Sequence, residues 1–132
     1  MGEIRESLLH IMAGIYLHIP FCKQACHYCD FHFSTNTAIR KELIDAIGEE
    51  ISLQQNYLEG EKINSIYFGG GTPSILGPNE VRFLLEKIRE TQAASGDIEI
   101  TLEANPDDLT PEKLTALRNA GINRLSIGIQ CF

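Results

Sequence analysis

The stretch "FCKQACHYCDF", residues 21–31, carries three of the chain's four cysteines. Cys22, Cys26 and Cys29 follow a C-x3-C-x2-C spacing, so their thiolates can converge on one point in a short loop. Zinc wants four such ligands, and His27 inside the loop or the remote Cys131 would have to supply the fourth. The His27 ring, set between two ligating cysteines, is expected to point away. A [4Fe–4S] cube held by three cysteines instead leaves one iron open to a substrate or cofactor. A disulfide framework fits poorly, because neighbours this close cannot all pair and one thiol is left over. A metal or redox role in a reducing cytoplasm fits better. Three unliganded buried cysteines are not expected to gather in one loop.

Other polar groups recur just after apolar stretches. "GGGTP" brings Gly69, Gly70 and Gly71, which let the backbone approach a ligand closely and offer adjacent N–H groups to a carboxylate. Taken alone, the triplet also suits a tight turn. Glu103 ends "IEITLE", and its carboxylate can accept from an amine or from hydroxyls. Gln130 stands at the matching place in "RLSIGIQ" and both donates and accepts. Tyr16 and His18 share one face of "GIYLHIP"; a satisfied interior histidine is the expected role of His18.

The elements that must carry these groups are strands and helices in alternation. Apolar alternation appears over 14–20, 63–69, 98–103 and 124–130. Between them, Ile39, Leu43, Ile44, Ile47 and Ile51 form a helical stripe that Gly60 can end. Val81, Leu84, Leu85 and Ile88 form a second stripe after Pro78. Thr110-Pro111-Glu112 opens a third helix, with Leu114 and Leu117 as its stripe and Gly121 as its stop. Strand, helix, strand in repetition predicts parallel strands with right-handed helical crossovers. Ile15, Leu17 and Ile19 oppose Tyr16 and His18; Ile98, Ile100 and Leu102 oppose Glu99, Thr101 and Glu103; Leu125, Ile127 and Ile129 oppose Ser126, Gly128 and Gln130. One apolar and one polar face per strand predicts a β/α barrel with its site in the mouth, not a sheet covered on both sides. Glu99 is expected to be solvated if its strand lies near an edge.

The bulk composition agrees with one globular domain: 132 residues, 43% hydrophobic and 22% charged. A net charge of −7 argues against a general nucleic-acid or membrane-surface binder, which needs a basic face. No apolar run is long enough to span a bilayer, and "MGEIRESLLHIM" lacks the pattern of a signal peptide. Four strands are half of the eight a barrel needs, so residues 13–132 are read as the N-terminal part of a longer core domain, with a self-contained four-strand α/β domain as the alternative.

The cysteine loop resembles the CxxxCxxC signature of the radical S-adenosylmethionine (SAM) superfamily. "IYLHIPFCKQACHYCDF", "YFGGGTPS", "LEANPDDLT" and "RLSIGIQ", in that order, narrow the resemblance to the N-terminal half of oxygen-independent coproporphyrinogen III oxidases and their relatives, the HemW heme chaperones. It runs from about Gly14 to the last residue. The resemblance implies a partial (β/α) barrel and a [4Fe–4S] cluster on Cys22, Cys26 and Cys29. The open iron then takes the amino and carboxylate groups of SAM, and an electron from the cluster cleaves the sulfonium to a 5′-deoxyadenosyl radical. It also implies SAM contacts at Tyr16, Tyr28, Gly70, Gly71, Thr72, Glu103 and Gln130. Further family contacts, an Arg and an Asp on later strands, lie beyond this chain.

Position 31 separates the relatives. The oxidase pattern resembles CxxxCxxCxC, and Phe31 stands where its fourth cysteine would be. "YCDF" is similar to the HemW version. The expected function is therefore a SAM- and [4Fe–4S]-binding carrier of heme to acceptor proteins, served by an electron donor. The alternatives are radical decarboxylation of coproporphyrinogen III in heme biosynthesis and a small zinc-binding module. His10, His27 and His32 are candidate heme ligands only in the sense that imidazole ligates iron. Cys131, where relatives usually carry Ser, is read as a small buried residue. Eleven residues precede Met12, which begins "MAGIYLHIPFC", the family's usual start. They are read as an extension, either a short amphipathic helix on Ile4, Leu8 and Ile11 or an upstream start chosen in error.

Overall fold

The computed structural model describes residues 13–21 and 37–127. Strand β1 (Ala13–Ile19) leads to helix α1 (Thr37–Leu53), and β2 (Ile63–Gly70) to a single 3-10 turn (Pro73–Ile75) and α2 (Pro78–Thr91). Strand β3 (Ala94–Ala104) leads to a second 3-10 turn (Pro106–Asp108) and α3 (Pro111–Ala120), and β4 (Arg124–Ile127) follows. The four strands are parallel in the order β1-β2-β3-β4. The sequential strand order and the single core that the helices share with the strands place all three helices on one face of the sheet, as barrel winding requires.

The register explains why that face is apolar. Leu17 pairs with Phe68, Phe68 with Leu102 and Leu102 with Leu125, so one apolar row crosses all four strands. Ile15, Ile66 and Ile100 form a second row. Onto these rows pack Ile44 and Ile51 of α1, Val81, Leu84, Leu85 and Ile88 of α2, and Leu117 and Ala120 of α3, in one continuous core. Each fully buried aliphatic side chain contributes about 1.5–3 kcal/mol, so this single layer carries the fold. The opposite face holds the row Tyr16, Tyr67, Thr101 and Arg124.

Caps confirm the predicted helix starts. Thr110 accepts from the Lys113 amide, with Pro111 in the first turn, and Gly121 closes α3. Pro78 opens α2, and the Glu80 carboxylate reaches back to the Gly77 amide. Two boundaries and one buried stripe differ from expectation. Helix α1 ends at Leu53, and a run of tight turns carries the chain to Gly60, because Leu53 and Tyr57 are exposed and no apolar stripe continues the helix. Strand β3 begins at Ala94 rather than at 98, held by pairing of Ile63 with Ala94. Leu114 is 39% exposed, so the buried stripe of α3 is Leu117 and Ala120. Glu99 is exposed as expected and lies 3.6 Å from Arg124.

Candidate functional site

The C-terminal ends of β1, β2 and β3 converge through the glycine loop. The Gly71 amide donates to the Ile19 carbonyl (2.9 Å) and the Thr72 amide to the Phe21 carbonyl (2.6 Å). The loop after β2 is thus bonded to the root of the segment that carries the cysteines. Gly70 adopts φ 120°, and a Cβ there would stand 2.6 Å from the Ile19 carbonyl oxygen. Only glycine fits both demands. At Gly69 a Cβ would meet the Tyr16 ring at 2.7 Å, so this glycine makes room for the tyrosine.

Glu103 lies beside that loop. Its Oε1 accepts from the Gly70 amide (3.2 Å) and its Oε2 from the Tyr67 hydroxyl (2.8 Å). Tyr67 in turn stacks on Tyr16, with ring centroids 5.9 Å apart and planes 19° apart. The Tyr16 hydroxyl lies 3.2 Å from Nδ1 of His18. Partial burial of this hydroxyl, then the charge of Glu103 and the neighbouring Tyr67, raise the Tyr16 phenol above its ordinary value. Tyr16 is 57% exposed, so solvent screens the push, and the phenol stays protonated at neutral pH. Among the described residues no cation pairs with Glu103.

A cleft of about 50 Å³ opens between the two strand ends, lined by Gly71, Thr72, Pro73, Glu103, Asn105 and Ser126. A groove of about 550 Å³ runs along the outer edge of β1 beside Ile47, Ile51 and Leu58. It touches neither Glu103 nor the glycine loop, so size does not mark the chemistry. Among the described residues no three His, Cys, Asp or Glu side chains gather in a metal-binding cluster.

The predicted residues Gly70, Gly71, Thr72 and Glu103 thus come together, with Tyr16 one ring away through Tyr67. Cys22, Cys26, Cys29, Tyr28, Phe31 and Gln130 lie outside the described residues, as do His10, His27, His32 and Cys131. Among the described residues His18 is exposed, on the polar sheet face that a barrel turns inward, and its Nδ1 lies 3.2 Å from the Tyr16 hydroxyl. One expectation changes. The amides of Gly70, Gly71 and Thr72 are already committed, to Glu103, Ile19 and Phe21, so they are not free donors for a carboxylate. The site is acceptor-rich at this edge, which suits a cationic group. Tyr67 and Ser74 were not singled out from sequence. Alternation from Phe68 places Tyr67 on the polar face, whereas nothing local marks Ser74 as buried.

The family model described as "Radical SAM superfamily" matches residues 16–132. The heme chaperone HemW of Bacillus subtilis (strain 168) is 39% identical over 123 residues, covering 92% of this chain and 32% of that protein. Its namesake from Escherichia coli (strain K12) is 35% identical over 121 residues, covering 90% and 32%. The solved structure of the coproporphyrinogen III oxidase HemN from Escherichia coli, described as a radical SAM enzyme, superposes with a TM-score of 0.78 at 28% identity. It matches 95% of this chain and 31% of that one. The chain therefore spans about a third of the length of the relatives it matches.

Proposed function

The chain belongs to the radical SAM superfamily, and on that premise we propose that it is the SAM- and [4Fe–4S]-binding part of a HemW-type heme chaperone. One observation carries the SAM reading: Glu103 receives two neutral donors and, among the described residues, no cation. An aminium group or ribose hydroxyls can complete it. The residues present fit the ligand: the acceptor carboxylate of Glu103 shares a cleft with Gly71 and the buried Thr72. Tyr16, Tyr28 and Gln130 would add further contacts. Cys22, Cys26 and Cys29 would hold the cluster, which when bound supplies one-electron reduction at an open iron. This chain's own residues bind and orient. Gly70 and Tyr67 hold the Glu103 carboxylate, and Gly69 admits the Tyr16 ring beside it.

The heme-chaperone reading is supported by the relatives named HemW and by Phe31 at the position that distinguishes the oxidases. Heme would be the cargo, passed to acceptor proteins, with an electron donor serving the cluster. Among the described residues no helix is long and apolar enough to cross a membrane, and a cytoplasmic place is proposed with the rest. Residues 13–132 would be the N-terminal part of the core domain, with residues 1–12 an extension to it.

The test uses the full-length protein, reconstituted anaerobically with iron and sulfide. The wild type is expected to be brown and to bind SAM and heme without consuming coproporphyrinogen III. Alanine at Cys22, Cys26 or Cys29 should abolish the visible absorbance, and Cys131→Ser should keep it. Porphyrinogen turnover would favour the oxidase, whose structure this fold also matches. Zinc in place of iron and sulfide would sink both readings.

A further inference from the structure

Ser74 is 1% exposed, yet it makes polar contacts with three residues in two other segments. Its hydroxyl donates to Asp108 Oδ2 at 2.7 Å and accepts from the Asn105 amide at 3.0 Å. Its carbonyl accepts from Lys113 Nζ at 2.7 Å. Ser74 sits in the 3-10 turn after the glycine loop; Asn105 and Asp108 belong to the segment after β3; Lys113 lies in the first turn of α3. The two segments that Ser74 joins are the two walls of the small cleft, Gly71–Pro73 on one side and Glu103–Asn105 on the other. A buried hydroxyl satisfied in both directions has one geometry, and it fixes the spacing of the walls.

We propose that Ser74 is a positioning residue for the SAM cleft, holding the glycine loop against the strand end that carries Glu103. The inference rests on the SAM reading above. Ser74 touches no ligand; it acts through the backbone of Asn105, two residues beyond Glu103. Without its hydroxyl, the Asn105 amide loses its acceptor and Asp108 loses a donor. The walls then separate or admit water. Loss of one such bond at a site that must meet its ligand within a fraction of an ångström corresponds to about tenfold in affinity.

The experiment uses full-length, cluster-loaded protein. SAM affinity is measured by titration calorimetry, and the electron paramagnetic resonance of the reduced cluster is recorded with and without SAM. Ser74→Ala is expected to weaken SAM about tenfold and to diminish the SAM-induced spectral change, at unchanged iron content. Ser74→Thr, which keeps the hydroxyl, should restore both. Asp108→Ala, at a half-buried position, removes the acceptor that orients the Ser74 hydroxyl toward the Asn105 amide, and should weaken SAM in the same direction as Ser74→Ala. A lowered melting temperature with SAM affinity and spectrum unchanged in both Ser74→Ala and Asp108→Ala would overturn the proposal and leave Ser74 a structural residue. A wild type that binds a cluster but no SAM would instead overturn the functional reading, and this inference with it.

Discussion

Arg40 and Glu80 form a two-bond pair, Nη2 to Oε1 at 2.6 Å and Nε to Oε2 at 3.2 Å, while the same Nη2 donates to the Ile75 carbonyl at 2.9 Å. This forked contact ties the first turns of α1 to those of α2. Burial alone would raise the Glu80 carboxyl, but the Arg40 hydrogen bonds, the Gly77 amide and the charges of Arg40 and Lys113 outweigh it and hold the group below its ordinary value. The folded value lies below the unfolded one, so the stabilisation is complete above about pH 4.5 and is lost as pH falls through the folded value. Melting temperatures of wild type and Glu80→Gln from pH 7 down to pH 3 should therefore differ most near neutrality and converge in acid. A gap that stays constant to pH 3 would show that the charge contributes nothing. At this scale the sequence was legible where a residue acts alone or in a short word, as with Glu103 or the glycines. Arg40 and Glu80, or Ser74 and Asp108, are separated by more than thirty positions, and no local pattern announces that they meet.

Elements were legible where periodicity and caps agree, as at Thr110-Pro111 and Pro78. They were least legible where tertiary pairing extends a strand without an apolar signal, as in "ASGD" at the start of β3. The junction of β2 with its loop carries a sharp prediction. Gly70→Ala puts a methyl against the backbone of Ile19 in a conformation that other residues rarely adopt. The cost should be about 1–3 kcal/mol in denaturant unfolding, more if β1 cannot shift. Because the amides of Gly71 and Thr72 bond to Ile19 and Phe21, the displacement should also reach the root of the cysteine loop. Gly70→Ala is thus expected to lower iron retention after gel filtration as well as stability. Full iron retention with only a stability loss would show that the glycine loop and the cysteine loop are independent.

At the scale of the molecule, the described sheet has one apolar face under helices and one open face carrying Tyr16 and His18. Among the described residues β1 pairs only with β2, and β4 only with β3. Alternation in the sequence foretold both faces. It could not foretell what meets the edges, since relatives are about three times as long. Unpaired strand edges template association with other copies, and Ile127 adds an apolar side chain, 58% exposed, at the end of β4. The 132-residue chain alone should therefore associate as concentration rises in sedimentation velocity. Its charge of −7 opposes this, so added salt should strengthen association. Ile127→Lys distinguishes the causes. It lowers the net negative charge, so long-range repulsion by itself predicts more association, whereas a charge on the strand edge predicts less. The expected result is a shift toward monomer. A chain that stays monomeric at every concentration and salt, or a lysine variant that associates more strongly, would refute the edge as the contact.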